Sequence, residues 1–234
     1  MKKILKTIAF GLLLIFLPFN LNAQNKAKSK ILDKMIIKGI KDWKIPGLTT
    51  VVVKDSKVVF QKTYGVKNLK TKESVDEYTL FNMGSTTKAI ISIALGILVD
   101  QGKINWNDKV REHLPYFELS DRYITEGARI KDLLTHNLGI AQADLLWTID
   151  SVSTKKTISR LKYAKKIYPF RGGYEYHNVM YAVAGEVISS VSGEHWTTFV
   201  EKNILDPLEM TNTKTKASDL FDAGNYVTPY LNDI

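Results

Sequence analysis

The sequence predicts an α+β fold, because one β-hairpin signal stands beside at least five helical segments. Residues 48–53 (LTTVVV) and 58–64 (VVFQKTY) are rich in β-branched and aromatic residues. Residues 54–57 (KDSK) form a polar turn between them, which is the pattern of an antiparallel hairpin. Two strands alone are marginally stable in water, so the predicted sheet requires strands that this sequence does not reveal.

Helical periodicity is clearest in four stretches. Apolar residues recur at a spacing of three and four in residues 31–43, which predicts a helix with one apolar face. Residues 86–101 are apolar nearly all round, as in a helix that is buried on most sides, and Gly102 is a plausible C-terminal cap. Two further helices are predicted at 181–191 and 196–204.

The first 23 residues have the layout of a secretory signal peptide. Three lysines stand near the start, an apolar run follows at 8–17, and residues 21–23 (LNA) offer a small-residue cleavage site. The apolar run is short for a membrane-spanning helix, which needs about 20 residues. We therefore expect a signal peptide at 1–23, a mature domain at 24–234, and export to the periplasm or the cell exterior. An uncleaved membrane anchor is the alternative.

Composition limits the classes of partner and cofactor that we expect the chain to bind. The chain has no cysteine, which excludes disulfides and a lipoprotein anchor. Its formal net charge is +9, but the lysines are spread along the chain and no nucleic-acid-binding motif accompanies them, so nucleic acid is not an expected partner. Membrane or cell-wall proximity is compatible with this charge. The sequence has no nucleotide-binding motif and no metal-ligand spacing, so no cofactor or metal is expected. Oligomeric state has no signal in the sequence.

Residues 85–88 (STTK) form an S-x-x-K element. Residues three apart share a helix face, so Lys88 is expected one turn below Ser85 with its amine near the hydroxyl. The spacing also occurs at 153–156 and 159–162, but those matches lie in a polar stretch. Ser85 alone follows an apolar segment and a glycine and opens a buried helix, which favours it as a nucleophile. An ordinary helix N-cap is the competing interpretation.

Residues 176–178 (YHN) are the second candidate element. Tyr176 is a candidate proton relay, because a nearby lysine cation would lower the pKa of a phenol. Asn178 is a candidate donor to a substrate amide carbonyl and a candidate partner for the Lys88 amine. His177 is a candidate for facing the same cleft. Residues 230–232 (YLN) fit the same spacing, so the triplet by itself is a weak signal.

Four segments in one order carry a family resemblance. These segments resemble landmarks of class C-type β-lactamases and of related esterases and D-aminopeptidases. They are residues 85–88 (STTK), 133–140 (LLTHNLGI), 176–178 (YHN) and 207–213 (PLEMTNT). Leu138 stands where that family usually has serine, and Glu209 replaces a glycine. The similarity extends over residues 31–230. The chain thus resembles the β-lactamase and penicillin-binding protein superfamily of serine hydrolases.

This resemblance implies a β-lactamase/transpeptidase-like fold, with an antiparallel sheet flanked by helices and a helical subdomain. It implies that Ser85 attacks a carbonyl, that Lys88 and Tyr176 share the general-base and general-acid work, and that water then hydrolyses the acyl-enzyme. The Ser85 backbone N–H would supply half of an oxyanion hole. The resemblance allows an ester, a peptide near a D-residue or a β-lactam amide as substrate, and it implies a structural role for His136.

One departure from the family concerns a third motif, K-T-G or similar, on a strand that supplies the second oxyanion donor. No such triplet follows Tyr176. Loss of one oxyanion donor typically lowers the rate by about 100- to 1000-fold. We therefore expect a chain truncated before its C-terminal strands. Two alternatives to a hydrolase follow: a catalytically inactive fragment, and a penicillin-binding sensor that acylates without deacylating.

Overall fold

The structure is a computed structural model that describes residues 17–144 and 152–230. Its contacts divide the chain into two compact units, Met1–Phe81 with Leu220–Ile234, and Asn82–Asp219. The candidate residues Ser85, Lys88, Tyr176 and Asn178 all belong to the second unit.

The first unit contains one long helix and the predicted hairpin. Helix α1 spans Leu17–Asp42, and strands β1 (Gly47–Lys54) and β2 (Lys57–Gly65) pair antiparallel with Gly47 opposite Gly65. Asp55 and Ser56 turn the chain with φ of 49° and 59°, values that suit a tight two-residue hairpin turn. The hairpin prediction is confirmed, with strand boundaries within one residue of those expected.

Helix α1 is fixed to the hairpin by a carboxylate. Asp33 accepts hydrogen bonds from Lys62 Nζ at 2.8 Å and from the Tyr64 hydroxyl at 2.7 Å. Burial and this carboxylate raise the pKa of Tyr64 to about 12, so the phenol keeps its proton and goes on donating.

The predicted signal peptide falls mostly outside the described residues. Residues 1–16 are not described, and residues 17–23 lie in the first turns of α1. Among the residues that the structure describes, no helix has the length and apolar character needed to cross a membrane. Cleavage after residue 23 stays a prediction.

The second unit is helical. Ser85 lies in a single 3₁₀ turn, Gly84–Thr86, which leads directly into α2 (Thr87–Asp100). Six further helices follow in chain order: α3 (Val110–His113), α4 (Arg122–Gly127), α5 (Ile130–Leu134), α6 (Thr154–Ser159), α7 (Asn178–Ser192) and α8 (Trp196–Val200). A short 3₁₀ turn at Leu161–Tyr163 and a π-helical turn at Glu201–Leu205 complete this unit. The last helix, α9 (Asp219–Ala223), starts at the final residue of this unit and otherwise belongs to the first.

Helices α2 and α7 form the centre of the core. Leu95 and Leu98 of α2 and Val183 and Val187 of α7 are completely buried. Each such side chain contributes about 1.5–3 kcal/mol through removal of apolar surface from water. Ile93 of α2 is half exposed. The helix is therefore buried on most sides but not on all of them, as its apolar sequence predicts.

Helix α2 ends where the sequence predicts. Gly102 adopts φ 67°, its N–H donates to the Val99 carbonyl, and the Lys103 N–H donates to the Leu98 carbonyl. This pair of hydrogen bonds is a Schellman cap, which satisfies carbonyls that the last helical turn leaves free. Among the described residues the sheet has two strands, and with the helical second unit this confirms the α+β class.

Candidate active site

Ser85 is presented by a sharp turn at the start of α2. Gly84 adopts φ 52°, a left-handed conformation that suits glycine, and its N–H donates to Asn82 Oδ1 at 2.8 Å. The Ser85 side chain is exposed and makes no capping hydrogen bond at this helix start. The competing N-cap interpretation therefore does not describe Ser85.

The other two S-x-x-K matches have ordinary helical roles. Ser153 is the N-cap of α6, where its hydroxyl accepts a hydrogen bond from the Lys156 N–H at 3.3 Å. Ser159 ends the same helix and donates to the Lys156 carbonyl at 2.7 Å. Both hydroxyls are used by backbone groups, which separates them from Ser85.

Lys88 lies one helical turn after Ser85 and is half-buried. Its Nζ donates to Ser85 Oγ at 3.1 Å and to Asn178 Oδ1 at 2.6 Å. It also lies 4.6 Å from the centre of the Tyr176 ring and 5.3 Å from that of Tyr181, so two aromatic faces stabilise the cation.

Tyr176 reaches Ser85 from a loop that is ninety-one residues further along the chain. The Tyr176 hydroxyl lies 2.5 Å from Ser85 Oγ, and either oxygen is able to donate. Hydrogen bonding from Lys88, followed by that with Ser85, lowers the pKa of Tyr176 below its ordinary value of 10.0. The site thus makes ionisation of Tyr176 easier than that of a free tyrosine, next to the serine hydroxyl.

His136 supports Tyr176 from behind. The ring of His136 packs against those of Tyr176, Tyr174 and Tyr181, at centroid distances of 4.6, 5.6 and 5.6 Å. Its Nδ1 accepts a hydrogen bond from the His177 N–H at 3.1 Å. Burial, followed by the charge of Lys88, lowers the pKa of His136, so the ring stays neutral and keeps its acceptor.

Two arginine hydrogen bonds hold the segment that leads to Tyr176. Arg171 donates from Nε to Asp132 Oδ1 at 2.8 Å and from a terminal nitrogen to Oδ2 at 2.6 Å. Asp132 belongs to α5 and is almost fully buried. This bidentate pair fastens the loop before Tyr176 to the helix before His136.

Asn178 begins α7 and connects two charges. Its Oδ1 accepts from Lys88, and its Nδ2 donates to Asp144 Oδ2 at 2.5 Å. Asp144 also accepts from Gln142 Nε2 at 2.9 Å. No sequence pattern singles out Asp144, because it is one polar residue after the 133–140 segment.

A cavity of about 550 Å³ opens beside the serine and lysine. Ile91 of α2, Ala182 and Gly185 of α7, Thr157 of α6 and Trp196 contribute to its wall. The absence of a side chain at residue 185 lets the indole lie against α7, since an added Cβ would stand 3.3 Å from the ring. The volume and mostly apolar lining are those of a small-molecule site.

The structure thus brings four sequence-predicted residues together: Ser85, Lys88, Tyr176 and Asn178. His177, a candidate for facing the cleft, does not do so. Its side chain is only 3% exposed, because the residue immediately before α7 turns inward. Burial lowers the pKa of His177 against the opposing charge of Asp144, so the buried ring is neutral.

A group of possible metal ligands lies away from this site. Ligand atoms of Asp108, Glu112 and His113 lie within 4.8 Å of one another. The Asp108 carboxylate accepts from the Asn105 N–H, and Glu112 accepts from the Lys109 N–H at the start of α3. Backbone capping accounts for these two carboxylates.

A helical unit with an S-x-x-K serine at a helix start and a tyrosine from a distant loop defines a serine-hydrolase type of site. A family model described as "Beta-lactamase" matches residues 32–233. The chain belongs to the β-lactamase family, and its fold is β-lactamase/transpeptidase-like.

Known relatives agree with this assignment. The chain is 29% identical over 193 residues to Protein flp of Staphylococcus aureus, covering 80% of this chain and 38% of that protein. It is also 29% identical over 198 residues to the Unguisins hydrolase ungD of Aspergillus violaceofuscus, covering 80% of this chain and 34% of the relative. The chain therefore spans little more than a third of the length of these relatives.

A solved structure shares the fold. The octameric penicillin-binding protein homologue from Pyrococcus abyssi superposes with a TM-score of 0.76 at 24% sequence identity. The superposition covers 87% of this chain and 48% of the archaeal chain.

Proposed function

We propose that this chain is a serine hydrolase that forms an acyl-enzyme at Ser85 on an ester, a peptide near a D-residue or a β-lactam amide. The observation that supports the proposal is the position of Ser85 Oγ, 2.5 Å from the Tyr176 hydroxyl and 3.1 Å from Lys88 Nζ. A nucleophile within hydrogen-bond reach of a base, with the base oriented by a further group, is the geometry of covalent catalysis.

In the proposed reaction, Ser85 Oγ bonds to the substrate carbonyl carbon while its proton passes to Tyr176. The short oxygen–oxygen distance and the lowered pKa of Tyr176 favour the phenolate as that acceptor. Lys88 stabilises the phenolate. Collapse of the tetrahedral intermediate breaks the bond to the leaving group, which takes the proton from Tyr176. Water then cleaves the serine ester, releases the acid and restores the hydroxyl.

The cavity beside Ser85 is the proposed site of the acyl group. Its wall is mainly apolar, whereas the polar groups of Ser85, Lys88 and Asn178 stand together. An apolar acyl chain or a small ring would be desolvated there while its carbonyl faces the serine. The hydrolase name of the fungal relative and the penicillin-binding homologue agree with acyl chemistry.

Activity-based labelling tests this proposal. The purified chain is incubated with a fluorophosphonate and with a fluorescent penicillin, and the adduct is located by mass spectrometry. We expect the fluorophosphonate to label Ser85, and separate, unlabelled protein to turn over an ester substrate. Ser85→Ala should remove the label, and Ser153→Ala is the matched control because it alters another S-x-x-K serine.

Three other labelling results would each contradict a different part of the proposal. A label that survives Ser85→Ala places the nucleophile elsewhere. A penicillin adduct that never turns over identifies an acylating sensor instead of a hydrolase. A folded chain that takes no label supports the inactive-fragment alternative.

We also propose that the protein is exported, on the strength of the basic, apolar and small-residue pattern of residues 1–23. N-terminal sequencing of protein recovered from a bacterial envelope or culture medium should begin at Gln24. A product that begins at Met1 and stays with the membrane would indicate an uncleaved anchor.

A further inference from the structure

Asn178 is held between groups of opposite charge. Its carbonyl oxygen accepts from the Lys88 ammonium at 2.6 Å, and its amide nitrogen donates to the Asp144 carboxylate at 2.5 Å. One partner in each of these hydrogen bonds is charged, which makes it stronger than a bond between two neutral groups.

The orientation of this amide follows from its two neighbours. A carboxylate only accepts hydrogen bonds and an ammonium only donates them, so a flipped Asn178 would oppose donor to donor and acceptor to acceptor. The Lys88 ammonium also donates to Ser85 Oγ, whereas the Asp144 carboxylate is the group that accepts from the Asn178 amide nitrogen. Without Asp144, the amide would be free to rotate away from Lys88.

Asp144 is itself placed for this task. Both hydrogen bonds that its carboxylate accepts in the described part of the chain come from side-chain amides, those of Gln142 and Asn178. Its Oδ1 is buried and has no hydrogen-bond partner within residues 17–144 and 152–230. Within the described residues, this half-buried carboxylate makes no backbone hydrogen bond, so its charge acts on the two side-chain amides.

We propose that Asp144 is a positioning residue for Ser85 chemistry, acting through Asn178 on Lys88. The proposal rests on the function proposed above. The carboxylate fixes the Asn178 amide, and the amide carbonyl holds the Lys88 ammonium where it contacts both Ser85 Oγ and the Tyr176 ring. The negative charge of Asp144 also opposes the lowering of the Tyr176 pKa by Lys88. Asp144 thereby adjusts the position of Lys88 and the proton affinity of Tyr176.

The first test compares Asp144→Asn and Asp144→Ala in the rate of Ser85 acylation by a fluorophosphonate. We expect Asp144→Ala to lower the rate by about tenfold or more, the scale typical of residues that orient a site group from outside. Asp144→Asn preserves the shape and an acceptor, so it should retain more of the rate. Gln142→Ala is the control, since it removes the other hydrogen bond to the same carboxylate.

The pH profile separates positioning from a purely structural role. In the described part of the chain, the titratable groups that face this network besides Lys88 are Tyr176, Tyr181, His136 and His177. Removal of a carboxylate disfavours the protonated forms of its neighbours, so Asp144→Asn should move the midpoint of the acylation rate to lower pH. An unchanged midpoint together with an unchanged rate would overturn the proposal.

A double-variant cycle tests the route through Asn178. If Asp144 acts through that amide, Asp144→Ala should have little further effect when Asn178→Ala is already present. Equal rate losses in both backgrounds would show that Asp144 acts independently and would reject the proposal.

The orientation of the Asn178 amide is measurable without any turnover, so the positioning role of Asp144 is testable apart from the hydrolase function. In ¹⁵N-labelled protein, the Asn178 side-chain amide protons should be protected from exchange, and Asp144→Ala should remove this protection. If the parent chain is not acylated, the hydrolase proposal fails while the amide resonance still decides whether Asp144 orients Asn178. An unchanged resonance in folded Asp144→Ala protein would overturn the positioning role.

Discussion

The rings of His136 and Tyr176 pack at a tilt, with centroids 4.6 Å apart and planes inclined by 36°. The backbone N–H of the next residue, His177, donates to the His136 ring. One side chain therefore fixes both the ring of the candidate base and the backbone beside it. Because an imidazolium would have no acceptor for this amide, the lowered pKa of His136 is part of the arrangement.

Replacement of His136 should weaken either its packing against the Tyr176 ring or the hydrogen bond that it accepts from the His177 N–H. His136→Phe keeps an aromatic ring but leaves the His177 N–H without its acceptor, which costs about 1–3 kcal/mol. His136→Asn suits the left-handed backbone at this position, φ 58°, and offers an oxygen, but it cannot stack. We expect slower Ser85 acylation in both variants, by about tenfold, and a larger loss of unfolding free energy in the first. Parent-like acylation of His136→Asn would contradict a role for the ring.

The acylation rate should rise with pH as Tyr176 loses its proton. Since Lys88 and Ser85 lower the pKa of this phenol, the rate should level off below about pH 10, the ordinary tyrosine value. Lys88→Met removes the cation and its hydrogen bond, so the pKa of Tyr176 should rise and the remaining activity should move to higher pH. Stopped-flow measurements with an activated ester across this range provide the check. A midpoint that does not move in Lys88→Met would exclude Tyr176 as the titrating group.

Much of this site is predictable from local sequence. The S-x-x-K spacing places Lys88 under Ser85 because helical geometry is fixed, and the hairpin follows from its residue types and turn. The order of the landmarks indicates that Tyr176 joins them. No local rule gives the distance between Ser85 and a residue ninety-one positions later. That distance depends on the three-dimensional fold.

The supporting residues are harder to predict. Asp144, Asp132 and Arg171 are single charged residues in loops or short helices, where a solvated surface position is the ordinary expectation. Their partners are distant in sequence: Arg171 meets Asp132 across thirty-nine residues, and Asn178 meets Asp144 across thirty-four. The position of His177 between two site residues makes it a candidate for the cleft, but the residue lies immediately before α7 and its side chain is buried.

The ion pair of Asp132 and Arg171 should contribute measurably to stability. Asp132 is 2% exposed and Arg171 is 40% exposed at the side chain. Arg171→Met keeps the aliphatic stem and leaves a buried carboxylate without its cation. Loss of one partner from a fully buried pair costs about 3–5 kcal/mol, and the partial exposure of Arg171 reduces our expectation to about 2–3 kcal/mol.

Chemical denaturation checks this value against a surface pair. Lys202 and Glu194 are 2.6 Å apart, but Lys202 is mostly exposed, so Lys202→Met should cost less than about 1 kcal/mol. Equal losses from Arg171→Met and Lys202→Met would show that the first pair is no more than a surface contact.

Two left-handed glycines should respond differently to alanine. Gly102 has φ 67° and open space around the missing side chain, so Gly102→Ala should cost about 1 kcal/mol through backbone strain. Gly139 has φ 80°, and an added Cβ would stand 2.5 Å from the Tyr168 carbonyl oxygen. Gly139→Ala should therefore be the more destabilising by at least about 1 kcal/mol in equilibrium unfolding. Similar losses in both variants would mean that the loop at Tyr168 yields without cost.

The cavity should set the size of the acyl group. Ala182→Leu fills part of the volume between α2 and α7, so hydrolysis of a long-chain p-nitrophenyl ester should fall while that of the acetate is nearly unchanged. Each methylene excluded from an apolar site is worth about 0.8 kcal/mol, roughly fourfold in kcat/KM. Ala27→Leu, on an exposed position of α1, is the matched control and should alter neither substrate. If acetate and octanoate lose activity equally in Ala182→Leu, the acyl chain lies outside this cavity.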